Sequence, residues 1–172
     1  MKTPYTQVRK TTPPSDGLIA ESYDHADFVD AYVVRLPPDV QYQMKDIADR
    51  AFGSRAGWVN VLLRLRDAVM RRTGVKTTGD MRGSQPLPGR VDFFPVLSEQ
   101  EHEIVMGEDD RHLDFRLSLQ RRFDPDGAFV IATTVVRAHN LLGRAYLAAV
   151  RPFHDIVARS SLSRLAKRWE VV

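Results

Sequence analysis

The sequence predicts an α+β fold in which a curved antiparallel sheet grips a long C-terminal helix, with two short helices after the first strand. Three observations predict it. Strand-like apolar runs follow one another between residues 91 and 139 with connections too short for parallel crossovers. Two stripes at helical spacing lie between residues 40 and 69. The longest helical pattern, Leu141 to Trp169, comes last. A sheet of sequential strands has an apolar face to cover, and the final helix is the element that can cover it.

Each element has its own signal. Residues 1–17 are polar and carry Pro4, Pro13, Pro14 and Gly17, which predicts an extended, partly ordered arm ahead of a single domain over residues 18–172. Phe28, Tyr32, Val34 and Leu36 alternate with Val29, Ala31 and Val33, a strand with apolar character on both faces, ended by Pro37-Pro38. Asp39 stands where an N-cap would accept from free amides, and Val40, Met44, Ile47, Ala48 and Ala51 recur as one helical stripe. Gly53 is placed as the left-handed residue after that helix, Ser54 as the next cap, and Trp58, Val61, Leu62, Leu65 and Val69 as a second stripe closed by Gly74. Residues 75–92, with three glycines and two prolines, read as a loop, either a binding loop or plain surface.

The sheet follows in four runs, Val91 to Leu97, Glu101 to Met106, His112 to Phe123 and Ala128 to His139. Asp124-Pro125-Asp126-Gly127 makes a hairpin of the last two, because proline presets φ and glycine supplies the left-handed position. In the C-terminal helix, Leu142, Tyr146, Ala149, Val150, Phe153, Ile156, Val157 and Ser160 share an arc and are expected to face the sheet, with a kink at Pro152. Past Ser160-Ser161 the stripe changes phase to Leu162, Leu165, Ala166 and Trp169, so either the helix breaks there or its end meets a partner, including a second copy in a homodimer.

Composition narrows the chemistry. The 172 residues contain no cysteine, which removes disulfides, thiolate catalysis and cysteine-held clusters or zinc. It also suits a reducing compartment. With no apolar leader after Met1-Lys2 and no run of about 18 apolar residues, the cytoplasm is the expected location. The net charge is +3, and Arg71-Arg72, Arg121-Arg122 and the Arg164, Lys167, Arg168 tail are not interleaved with aromatics, so no nucleic-acid partner is expected. No nucleotide loop, hydrolase elbow or helical zinc motif is present, and neither a metal nor a cofactor is called for.

Chemistry must then come from His, Asp, Arg and Tyr. His112, Asp114 and Arg116 share one strand face, where a carboxylate beside an imidazole could orient a general base, form an ion-pair ladder, or contribute two ligands to a metal. Leu113, Phe115 and Leu117 own the other face, the natural core side. His139-Asn140 lies where the last strand becomes the helix, and Asn140 is a natural N-cap. His112, Asp114 and His139 are the candidate acid–base residues. Tyr146, His139, His154, Arg137 and Arg116 are the candidate ligand anchors, on the expectation that a curved sheet closed by one helix leaves an apolar pocket with a few polar groups.

The order of elements resembles the helix-grip fold of the START and birch-pollen-allergen-like superfamily. The run Gly107-Glu108-Asp109-Asp110-Arg111-His112-Leu113-Asp114-Phe115-Arg116 resembles the signature of the domain of unknown function 2867 family, as do His139-Asn140-Leu141-Leu142-Gly143-Arg144-Ala145-Tyr146 and Val150-Arg151-Pro152-Phe153-His154. The resemblance spans roughly residues 18–167 and implies a fold, often with an apolar cavity, but no reaction. Three functions are therefore expected in order: binding of an apolar, lipid-like small molecule; a cyclase, dehydratase or hydrolase of the same fold; an interaction module that uses the C-terminal tail.

Overall fold

The computed structural model describes residues 7–36, 42–53, 89–91 and 94–167. Strands β1 (Arg9–Thr11), β2 (Phe28–Arg35), β3 (Arg90–Val91), β4 (Phe94–Glu99), β5 (Glu103–Asp109), β6 (Leu113–Asp124) and β7 (Gly127–Ala138) form one curved sheet. Its order is β1-β2-β7-β6-β5-β4-β3, antiparallel at every pairing. Helix α1 (Met44–Phe52) follows β2, and helix α2 (Leu141–Lys167) closes the described chain. The expected 91–97 strand is divided between β3 and β4. The expected second helix, most of the 75–92 connection, and Trp169 lie outside the described residues.

The β6–β7 hairpin forms as its turn residues require. Gly127 has φ +117°, and Asp124 accepts from the Asp126 amide at 3.0 Å. Arg35 clamps the turn from β2, with two bonds of 2.9 and 2.7 Å to the Asp124 carboxylate. Alternation along β6 then decides the layers. Leu117 and Leu119 face α1 and α2 and share a core with Tyr32, Val34, Met44, Ile47, Met106, Leu162 and Leu165. The opposite face carries Asp114, Arg116, Ser118 and Gln120.

That opposite face is covered by the N-terminal segment. After β1 pairs with β2, the chain crosses the sheet, and Ile19, packed with Tyr23 and Ala26, forms a small second core with Val105 and Val135. Buried Glu103 pins the crossing, because its carboxylate accepts from the Leu18 amide at 3.0 Å, the Ser118 hydroxyl at 2.6 Å and the Gln120 amide at 3.3 Å.

Several helical expectations are corrected. Helix α1 starts at Met44 with Gln43 in the cap position, four residues past the one expected of Asp39, and Gly53 ends it with φ −70° rather than left-handed. Helix α2 does not break at Ser160-Ser161 and runs through Pro152. The stripe expected to face the sheet does not do so throughout: Phe153 is 54% and Ile156 64% exposed. Leu162 and Leu165, expected to turn away from the sheet if the helix continued, are 1% and 0% exposed in the core of an unbroken helix. The physical reason is that the row by which the first two-thirds of α2 meets the sheet mixes Gly143 and His154 with Leu147 and Val150, so hydrophobic periodicity alone does not fix the helix rotation there.

Candidate functional site

The start of α2 is built by the two motifs quoted above. Asn140 caps the helix by accepting from the Gly143 amide at 3.0 Å. Its amide group donates to His112 Nδ1 at 3.0 Å and to the Arg111 carbonyl at 3.3 Å. Gly143 lies so close to the β5–β6 turn that a Cβ there would overlap the His112 carbonyl oxygen. His112 is buried, its Nδ1 is occupied by Asn140, and its Nε2 is sealed without a hydrogen-bond partner. The ring locks a turn against a helix end, with no open atom for a substrate.

Asp114 and His139 meet across β6 and the end of β7, with Nε2 to Oδ2 of 2.9 Å. Both side chains are about one-third exposed, at 29% and 33%. Arg137 stands opposite Asp114 in the register and is exposed, while Arg116 reaches Asp109 at 2.6 Å. Asp114, Arg116, Arg137 and His139 all lie on the face turned away from α2. The arrangement is an ion-pair ladder at the strand ends, and His139 oriented by Asp114 can also exchange protons with solvent there.

A second His–Asp pair lies on the helix side. His154 Nε2 is 3.1 Å from Asp30 Oδ1, with the side chains 18% and 3% exposed. The Phe28 ring meets the imidazole edge-on at 5.2 Å, and Arg151 stacks over Phe28. At the next residue, Asp155 accepts from the Tyr32 hydroxyl at 2.8 Å, and Arg159, one turn further, holds the same carboxylate at 2.9 Å and donates to the Val8 carbonyl at 2.9 Å. Burial, the Asp155 hydrogen bond and the Asp30 charge raise the Tyr32 phenol well above its ordinary 10.0, so this hydroxyl stays a donor. The Tyr32 hydrogen bond, followed by Arg159, holds the Asp155 carboxyl below its ordinary value.

Burial along the contact between α2 and the sheet is uneven. On the helix-facing row of β7, Val130, Ala132 and Ala138 are buried, whereas Thr134 and Val136 between them are half-buried. On the facing side of α2, Gly143 and Leu162 are buried, whereas Leu147, Val150 and His154 between them are half-buried. Phe28 and Phe115, on flanking strands, are half-buried too, and Phe115 packs edge-on against Phe94 at 5.6 Å. Burial is thus deeper at the two ends of the contact than in its middle.

The structure thus divides the sequence-derived residues. Tyr146, half-buried, and His154 belong to the helix side; Arg116, Arg137, Asp114 and His139 belong to the outer face; His112 is a locked turn residue. Asp30 was missed, although the signal was present: it occupies the row Phe28, Tyr32, Val34 that the alternation assigns to the core. No group of three or more His, Asp or Glu that could hold a metal ion occurs among the described residues.

A search of the curated proteins finds no match, and a search of the solved structures finds none. One family model matches, over residues 22–161, with the description protein of unknown function (DUF2867). That span takes in the turn at His112, the capped start of α2 and both His–Asp pairs, and the chain belongs to this family.

Proposed function

We propose that this chain is a helix-grip protein of the START-like class that binds a small apolar or aromatic molecule between the middle of α2 and the sheet, in the cytoplasm. The observation that carries the reading is the shallower burial in the middle of the contact, where Thr134 and Val136 on the sheet and Leu147 and Val150 on the helix are all half-buried between buried ends. Apolar walls with one convergent polar group are the usual composition of a small-molecule site. His154, held by Asp30, is that polar group, with Tyr146 two turns earlier on the helix. A ligand with one hydrogen-bonding atom on an apolar body suits it.

Native mass spectrometry of freshly purified protein should reveal a co-purifying apolar molecule, and 1-anilinonaphthalene-8-sulfonate should gain fluorescence on the emptied protein. Val150→Trp fills the space and should abolish both signals while leaving the circular dichroism spectrum unchanged. No bound molecule and no dye binding by the wild type would overturn the reading.

A further inference from the structure

We propose that His154 is a general base acting on the molecule bound at this half-buried stretch of the helix–sheet contact, with Asp30 as its positioning residue, so that the site performs proton transfer on an apolar carbon acid. The inference rests on the ligand-binding reading above.

Of the three histidines singled out in the sequence, only His154 joins the required features. His112 has Nδ1 engaged by Asn140 and Nε2 sealed. His139 and its Asp114 stand on the outer face, each about one-third exposed. His154 instead has a carboxylate partner that is 3% exposed, the Phe28 ring at 5.2 Å, and a place in the half-buried middle of the helix–sheet contact.

The tautomer follows from the pairing. Buried Asp30 accepts from Nε2, so the neutral ring carries its proton there and its lone pair on Nδ1. Nδ1 makes no hydrogen bond among the described residues, and the side chain is 18% exposed rather than sealed. A buried carboxylate is costly unless it gains a partner, and Asp30 at 3.1 Å from Nε2 holds the ring in place before and after proton abstraction. The neighbouring Tyr32 hydroxyl donates to Asp155 at 2.8 Å and also interacts with Asp30, so it shares in fixing that carboxylate.

The step balances without a co-reactant. A C–H proton between a carbonyl and a neighbouring carbon–carbon double bond passes to Nδ1, and the electron pair moves into the carbonyl to form a conjugated dienolate. The imidazolium then returns the proton to the far carbon of that double bond, which moves into conjugation with the carbonyl. The product is an isomer of the substrate, and the ring is neutral again.

The probe is 5-nitrobenzisoxazole, an apolar aromatic carbon acid. Its C3 proton goes to the base, the electron pair forms a nitrile, the N–O bond breaks, and a coloured phenolate leaves; the ring then loses its proton to water. The wild type should turn over the probe with saturation. His154→Ala should lower the rate by about 10²-fold or more, the share typical of a positioned base, and added imidazole should restore part of it. Asp30→Asn should lower kcat by about tenfold or more with KM little changed and with the circular dichroism spectrum and thermal midpoint close to wild type, which separates lost positioning from lost folded protein. Turnover that survives His154→Ala would overturn the assignment. Saturable displacement of 1-anilinonaphthalene-8-sulfonate by the probe with no phenolate formed would overturn the base while leaving the binding reading intact. Absence of both dye binding and turnover would overturn the two together.

Discussion

Tyr32 is 1% exposed, yet its hydroxyl leaves the core to reach Asp155, so one side chain fills space under α2 and holds the helix in rotation at the same time. Tyr32→Phe keeps the ring and removes the bond, and urea unfolding at neutral pH should show a loss of about 1 kcal/mol. The pH dependence has a definite sign. Asp155 is held below its ordinary 3.8, so its contribution is present above that value and is lost as pH falls through the lower folded value. The Tyr32 hydrogen bond is the largest cause, so the acid limb of the stability profile should be shallower in Tyr32→Phe. Tyr32 itself is raised, so its contribution is present below 10.0 and is lost as pH rises beyond it, and the variant should lack that alkaline loss too.

Helix α2 shows what capping and phase do for an element. Asn140→Ala removes the bond to Gly143 together with the donors to His112 and Arg111, and thermal or urea unfolding should register a loss of about 1–2 kcal/mol. Asn140→Asp keeps the cap and loses only the donors, so it should fall between the two. Gly143→Ala raises helix propensity yet should destabilise, because its Cβ would overlap the His112 carbonyl oxygen. The phase change gives the sharpest contrast. Leu165→Ala empties a fully buried site and should cost about 2–5 kcal/mol. Phe153→Ala and Ile156→Ala, on the stripe that hydrophobicity alone would have buried, should stay within about 0.5 kcal/mol. Equal losses at all three positions would contradict the observed orientation of the helix.

At the scale of the molecule, the sheet is covered twice, by helices on one face and by the N-terminal segment on the other. The second cover is small and depends on Glu103, whose carboxylate gathers the Leu18 amide and the Ser118 and Gln120 side chains. Glu103→Ala should raise amide hydrogen exchange across residues 14–27 far more than in β6 and β7, since local opening follows the weakest contacts. The same two-sided cover separates the His–Asp pairs: His139–Asp114 stays on the outer side and His154–Asp30 on the helix side, so changes at one pair should leave the other undisturbed.

Period-two alternation and turn chemistry were enough to read β2, β6, β7 and the hairpin between β6 and β7 from the chain alone, because they are local properties of neighbouring residues. The Asn140 cap and the existence of α2 were legible for the same reason. The rotation of α2 was not. Its contact with the sheet mixes a glycine that permits close approach, a histidine that meets a buried aspartate and half-buried Leu147 and Val150, and its deeply buried apolar residues come only in the last turns. Hydrophobic periodicity assumes a uniformly apolar contact face and so took in the exposed Phe153 and Ile156. The partners of the histidines were equally hidden: His112 meets Asn140, His139 meets Asp114 and His154 meets Asp30 across separations of 28, 25 and 124 residues. Only the folding of the sheet under the helix decides those pairings, because distance along the chain carries no information about proximity in space.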